Sequence, residues 1–399
     1  MSKSHPRHLK KWVLAVLIVI AVAAAGTIGW RLYERGQTPQ ETAAAITPTS
    51  TSTPEPTPEV SSFSLFMSGD GLIHGTVWMD AQQSDGSYDF HNIMENMGTL
   101  SQGYDLVYYN QETILGGTEL GLSGYPTFNS PQEFGDTMVD LGFNLVSTAN
   151  NHSLDKGETG IDRSTSYWKK QAETSHTVMA GTYNSQADHD DLPVYEVNGI
   201  SYCFLSWTYG CNGLEPPAGK EYLVNIYSGH EEELLNQIRQ AKAKADVVLV
   251  AMHWGTEYDD EANEEQKTLA QEMADAGATV IIGCHPHVIE PIEYLNNGTS
   301  IVYYSLGNMV SAQDQLPRLI GMVGGITITK TTVNGESTIS LSDAKADLIY
   351  TYYEHFTNFK VIPFKDLDDV HLPDHQAIYD QYSKKITEYD SSIQVGGFE

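Results

Sequence analysis

From Phe63 onward the sequence predicts an α/β fold in which two mixed sheets pack face to face with helices outside them. Three observations lead there. Apolar runs of strand length alternate with amphipathic stretches of helical spacing through much of the chain. Toward the C-terminus the connections change from helices to Asn/Gly hairpins. Five of the strand-like runs end in a short loop carrying Asp, Glu, Asn or His.

In order, Phe63 to Ser68 reads as a buried strand ending at Gly69-Asp70. Phe90 to Leu100 has helical spacing, and Asp105 to Tyr109 is the second strand. Pro131 stands where a helix can begin, with Phe134, Met138 and Leu141 along one face. Strand Phe143–Ser147 leads into a polar loop to Gly157, a polar helix and a short strand, Thr177–Ala180. Val194–Val197 and Ser201–Ser206 flank Asn198-Gly199 as a hairpin. Helices over Glu231–Lys244 and Glu264–Ala276 each precede a strand, Asp246–Ala251 and Thr279–Ile282. Ile289–Leu295 and Ile301–Ser305 form a further pair, and β-rich sequence continues to about Tyr353. A C-terminal extension over 354–399 is expected to hold a helix with a frayed tail.

The first 35 residues stand apart from this domain. Lys3, Arg7, Lys10 and Lys11 precede an uncharged run from Trp12 to Trp30. At ~1.5 Å per residue, that run is roughly 28 Å long, the thickness of a bilayer's hydrocarbon core. The basic flank predicts a cytoplasmic N-terminus, an uncleaved single-pass transmembrane anchor and an extracytoplasmic remainder. A cleaved signal peptide is the alternative, since Ala23-Ala24-Ala25-Gly26 offers small residues to a peptidase. Residues 36–62 are Thr-, Ser- and Pro-rich and read as an extended linker, able to span up to roughly 80 Å. The globular domain is then expected over 63–353.

The chain has 399 residues, 22 Lys plus Arg against 52 Asp plus Glu, and a formal charge of −30. Six of those basic residues lie in the first 35; the remaining 16, against 51 acids, leave −35 on the rest. Such a surface excludes nucleic acid as a partner, because nothing replaces the counterions on phosphates. Three Cys exclude a disulfide scaffold and a thiolate-built metal site. Cys203 and Cys211 bracket a hairpin end, as a disulfide or as two buried thiols.

The loops after the strands carry the chemistry. They are Gly69-Asp70, Asn110-Gln111-Glu112, Ala149-Asn150-Asn151-His152, His253-Trp254-Gly255 and Gly283-Cys284-His285-Pro286-His287. Ligand sites of open α/β sheets lie at the carboxyl ends of strands, so these loops can converge. One Asp, one Glu, one Asn and four His suit one or two divalent transition ions, Mn, Fe or Zn. His285 and His287, alternate residues at an extended strand end, are expected to face one centre. The same alternation points Cys284 away from it. Glu257, Tyr258, Glu290 and Glu293 fall near the expected mouth.

In this order, and with Asp155, Gly157, Gly181-Thr182, Glu257-Tyr258 and Tyr304-Ser305-Leu306-Gly307-Asn308, these segments resemble the motifs of the CapA family. Those are the capsule (poly-γ-glutamate) synthesis proteins, similar in turn to calcineurin-like metallophosphoesterases. The resemblance spans about residues 63–313. It implies a four-layer α/β/β/α sandwich with a metal centre between the sheet ends. Asp70 and His287 would hold one metal, Asn151, His253 and His285 a second, and Glu112 would bridge them. His152 would be the catalytic residue at the leaving group. Asn110, Asn150, Glu257, Ser305 and Asn308 would bind substrate. The chain departs from the phosphoesterase pattern twice: Asp70-Gly71-Leu72 lacks an imidazole two residues on, with His74 as the nearest substitute, and Asn110-x-Glu112 replaces Gly-Asp.

The resemblance implies a role in building an anionic surface polymer, with that polymer or its precursor and a polymer synthase complex as partners. A phosphoester hydrolase, a non-catalytic accessory subunit and a γ-glutamyl amidase all accommodate these residues.

Overall fold

A computed structural model describes residues 57–398. The anchor expected over 12–30, and the linker up to residue 56, lie outside the described residues. Among the described residues, no helix is long and apolar enough to cross a membrane.

The first part of the chain builds parallel strands joined by helices. Strand β1 (Glu59–Gly71) is followed by α1 (Gly75–Asp80) and α2 (His91–Leu100). Next come β2 (Leu106–Gln111), α3 (Glu133–Asp140), β3 (Leu145–Ser147), α4 (Gly157–Ser175) and β4 (Val178–Ala180). A short α5 (Gln186–Asp190) leads to the hairpin of β5 (Tyr195–Val197) and β6 (Ile200–Thr208). Then α6 (Glu231–Lys244), β7 (Val247–His253), α7 (Glu264–Ala276) and β8 (Val280–Cys284) alternate. Strands β9 (Ile292–Leu295), β10 (Ser300–Tyr303) and β11 (Asn308–Val310) precede the helical turn α8 (Leu316–Leu319). The chain closes with β12 (Ile320–Val333), β13 (Glu336–Glu354), β14 (Thr357–Pro363), α9 (His375–Ile386) and β15 (Gln394–Val395).

Two mixed sheets result. One runs β14-β13-β12-β1-β2-β3-β4, with β11 beside β1 and β15 beside β13; the other runs β5-β6-β7-β8-β10-β9. In the first, antiparallel strands extend the parallel block β1 to β4 on the β1 side; in the second, the parallel block β6, β7, β8, β10 has an antiparallel strand at each edge. The alternation of side chains along each strand separates the cores. Phe63, Leu65, Met67 and Tyr108 of the first sheet meet Tyr202, Phe204, Leu249 and Ile282 of the second. The opposite face of β1 and β2, with Phe66, Val107 and Tyr109, packs on Met94, Met97, Phe134 and Trp168 of the helices. Leu205, Val248 and Val250 pack likewise on Leu234, Ile238, Leu269 and Met273. Helix α7 starts with a capping box, Asn263 with Gln266, and ends at Gly277 in the left-handed region, φ 114°.

The folded part is longer at both ends than 63–353. β1 starts at Glu59 and pairs with Thr332, because the run Glu59–Ser62 finds an open edge on the long β12. β14 extends the first sheet, and Tyr382 and Ile386 of α9 join the core between the sheets. The tail is not frayed: β15 pairs with β13, and Phe398 packs edge-on against Phe66, ring centres 5.8 Å apart. Cys203 and Cys211 are separate buried thiols rather than a disulfide.

Candidate metal centre

The parallel strands deliver their last residues to one point. Asp70 in β1 is in register with Asn110 in β2 on one side and Asn308 in β11 on the other. This close approach depends on Gly69, where a Cβ would overlap the carbonyl of Gly307. Gly283 does the same service before the histidine loop, its Cα face lying on the Tyr304 carbonyl. Both glycines are required by space rather than by conformation.

Asp70, Glu112 and His287 bring one ligand atom each within 4.8 Å of one another, and all three are buried. Glu112 Oε1 lies 3.7 Å from His287 Nε2 and 3.8 Å from His253 Nε2. His253 Nε2 is 3.0 Å from Asn151 Oδ1, and the His253 and His285 rings are 4.7 Å apart. The structure therefore gathers Asp70, Glu112, Asn151, His253, His285 and His287 into one cluster. Glu257 is exposed, yet its carboxylate comes within 4.8 Å of the ligand atoms of His285 and His287.

The histidine loop differs from the extended strand end that alternation predicts. β8 ends at Cys284, and His285 and His287 have φ of 104° and 60°. Two residues in the left-handed region curl the loop, so the imidazoles converge by a tight turn instead of by pleating. Cys284 also departs from expectation: it lies beside Asp70 and Tyr108, and burial with the Asp70 charge holds it as a thiol.

The remaining residues divide by what they touch. Asn110 Nδ2 donates to Asp70 Oδ1 at 2.7 Å, and its Oδ1 accepts from Ser147 Oγ, so it orients the carboxylate. Asn150 and Ser305 face backbone. Asn150 bonds the Gln111 carbonyl and the His152 amide, while Ser305 Oγ donates to the Val288 carbonyl and accepts from the Gly307 amide. They shape loops and leave no polar atom for a substrate. His152 Nδ1 is 2.8 Å from Asp155 Oδ2, which also accepts the Phe128 amide. Asp155 thereby fixes the ring, a role that spacing alone did not assign. Tyr209, absent from the sequence reading, covers His285 with ring centres 4.7 Å apart. His74 Nδ1 sits between the Leu72 carbonyl and the Ala312 amide, at 3.1 and 3.2 Å, and is taken up by backbone. Glu290 is buried under Gln266 and Glu293 accepts from Tyr304, so neither forms the mouth.

The donor set fits a divalent cation. Both oxygens of Glu112 and Nδ1 of His285 are buried with no hydrogen-bond partner. A buried carboxylate without partners costs several kcal/mol unless a cation or proton compensates it. Burial pushes Glu112 well above its ordinary range, against the pull of His287. Burial alone would lower His287, but the Glu112 and Asp70 carboxylates outweigh it and raise the imidazole to about 9. His253 is held well below its ordinary value, and His285 at about 3, by burial and neighbouring imidazoles. Two neutral imidazoles beside a buried, unpartnered carboxylate are donors that a divalent cation takes up in exchange for protons. Such an ion would be held by Asp70, Glu112 and His287, with Asn151, His253 and His285 beside them for a second.

Comparison with known proteins gives the family. Residues 64–313 match the family described as bacterial capsule synthesis protein PGA_cap. The PGA biosynthesis protein CapA of Bacillus subtilis (strain 168) is 36% identical over 177 residues, 44% of this chain and 44% of that protein. The capsule biosynthesis protein CapA of Bacillus anthracis is 33% identical over 191 residues, 46% of this chain and 44% of that protein. The matches thus span less than half the length of these curated relatives. A hypothetical protein from Thermus thermophilus overlays with a TM-score of 0.40 at 17% identity, covering 70% of this chain and 98% of that one. With the match covering residues 64–313, the chain belongs to the PGA_cap family of bacterial capsule synthesis proteins.

Proposed function

We propose that this chain is a metal-dependent hydrolase of phosphoesters or related bonds, working in the assembly of an anionic surface polymer. It would be held at the cell membrane by residues 12–30, with its bulk outside the cell and a polymer synthase complex as its neighbour. The observation that carries the reading is Glu112: fully buried, both oxygens unpartnered, facing His253 and His287. The face-to-face sheets with outer helices support a metallophosphoesterase-type sandwich, and the relatives' names support capsule polymer as the setting.

When bound, one or two Mn, Fe or Zn ions supply Lewis-acid polarisation of the scissile bond and acidify the attacking water. The chain supplies the rest. Asn110 orients the Asp70 carboxylate, and Asn308 orients His287. His152, whose Nδ1–H donates to the Asp155 carboxylate, is held with Nε2 free to pass a proton to the leaving oxygen from the cationic ring. In hydrolysis the water oxygen bonds to phosphorus and the bond to the leaving oxygen breaks. That oxygen takes the proton from His152, and the attacking water's proton restores it. With −35 beyond the first 35 residues, the protein's own field repels anionic substrates, so the cations must also provide local attraction.

The test is turnover by the purified chain of an aryl phosphate and of γ-glutamyl oligomers, before and after chelation. The hydrolase reading expects activity that is lost on chelation and returns with Mn or Zn. Turnover of γ-glutamyl oligomers alone makes it an amidase. No turnover of either, with polymer formation surviving His285→Ala and His287→Ala in cells, makes it a non-catalytic accessory subunit and overturns the proposal.

A further inference from the structure

The metal cluster contains acids, amides and imidazoles only. A cation lies close to it: Arg318, in the helical turn α8 between β11 and β12. Its guanidinium carbon lies 3.5 Å from the centre of the Tyr258 ring, a close cation–π stack. That ring lies 6.0 Å from His287, centre to centre. Steps of 3.5 and 6.0 Å put the guanidinium within about 10 Å of the His287 ring.

Both partners of the stack are held by backbone contacts that run to the metal loops. Tyr258 is in the left-handed region, φ 69°, and its amide donates to the carbonyl of Pro286, between the two histidines. The Arg318 carbonyl accepts from Asn308 Nδ2 at 2.8 Å, the same side chain that meets His287. Asn308 thus ties the cation-bearing turn and a metal-ligand imidazole to one amide group.

Among the described residues no carboxylate neutralises the charge on Arg318. Of the three arginines among the described residues, Arg163 pairs with Glu119 and Arg239 with Glu232. Arg318 has no carboxylate partner and its guanidinium makes no hydrogen bond among the described residues. Acids outnumber bases more than two to one in this chain, so a partly exposed arginine left unpaired beside a metal cluster is unusual. Stacking fixes the planar fork while leaving its edge N–H groups free, the geometry that receives an oxyanion in bidentate fashion.

We infer that Arg318, stacked on Tyr258, is a specificity-determining residue that receives a second anionic group of the substrate, a carboxylate or phosphate beyond the one at the metals. The inference rests on the metal-site reading above and narrows its substrate class. The preferred substrate has at least two oxyanions, as a γ-linked glutamate chain or a polyphosphorylated precursor has. A substrate with one anionic group engages the metals alone.

The test is binding, independent of turnover, by calorimetry on the full chain loaded with Mn. The probes are a γ-linked glutamate trimer and pyrophosphate, each with several anionic groups, against acetate and methyl phosphate. Arg318→Met keeps the length and removes the charge. It is expected to weaken the multiply charged probes ten-fold or more while moving the simple anions less than two-fold, with Mn content and Tm unchanged. Tyr258→Leu, which removes the platform but keeps the charge, is expected to give a smaller loss. A loss confined to the glutamate trimer assigns the carboxylate, and one confined to pyrophosphate assigns the phosphate. Equal affinities for wild type and Arg318→Met, or no binding of either multiply charged probe to wild type, would overturn the inference. Arg318-dependent binding without turnover of any substrate would instead defeat the hydrolase reading and leave the anion site standing.

Discussion

His287 Nδ1 lies 3.0 Å from Asn308 Oδ1, and the rest of Asn308 determines which way that bond runs. Asn308 Nδ2 donates to the Arg318 carbonyl at 2.8 Å and to Gln313 Oε1 at 3.0 Å. Its oxygen therefore faces the imidazole and accepts, so the proton is on Nδ1. The other nitrogen, Nε2, is directed at Glu112. An outer amide thus orients a buried imidazole of the cluster.

Replacing that amide should be felt at the metal. Asn308→Ala is expected to reduce affinity for Mn or Zn about 10- to 100-fold, as loss of an outer partner of a ligating histidine does. Competition with a chromophoric chelator measures it. An unchanged affinity would show that the His287 orientation is fixed by packing alone.

Asp155 supports a different function. It is buried, holds His152 Nδ1 at 2.8 Å and is itself anchored by the Phe128 amide. Asp155→Asn offers an amide where His152 needs a carboxylate, and is expected to lower kcat about 100-fold with metal content unchanged. Steady-state kinetics with elemental analysis separates this from a loss of metal.

Much of the fold is legible in the sequence. Most strands up to β10, and the polar loops that follow them, are legible as apolar runs that end in polar residues, because burial and strand polarity leave little choice about where such residues go. The curl at His285 and His287 was not legible, since left-handed backbone at a histidine has no sequence signal. Asn150 and Ser305 read as substrate contacts because loop polar residues look alike whether they meet a ligand or their own backbone. Glu290 looked like a mouth residue and is instead buried, because the hairpin after the loop turns beneath α7. Arg318, far from any motif, reaches the site only through the turn between β11 and β12.

Glu290 gives a pH-dependence with a definite sign. Burial raises its carboxyl from 4.5 to about 8, with only Gln266 donating to it. The native state therefore binds more protons than the unfolded state between these values. Stability contributed by the neutral acid is complete below about 4.5 and is lost as pH rises through about 8. Glu290→Gln should remove that slope, making the variant more stable than wild type at pH 8.5 by up to a few kcal/mol. Tm against pH for both proteins checks it.

The tight approach at Gly283 predicts a folding defect rather than a chemical one. A methyl group there meets the Tyr304 carbonyl and the Trp254 indole nitrogen, both fixed by the Trp254 Nε1 to Tyr304 O bond of 2.9 Å. Gly283→Ala is expected to cost about 3 kcal/mol or more and to displace His285. Denaturant unfolding gives the first quantity.

The most direct measurement is elemental analysis of the purified chain beside Glu112→Gln. Wild type is expected to hold at least one equivalent of Mn, Fe or Zn, with a several-fold loss in the variant. Less than a tenth of an equivalent of any transition metal in wild type after loading, or full occupancy in Glu112→Gln, would contradict it.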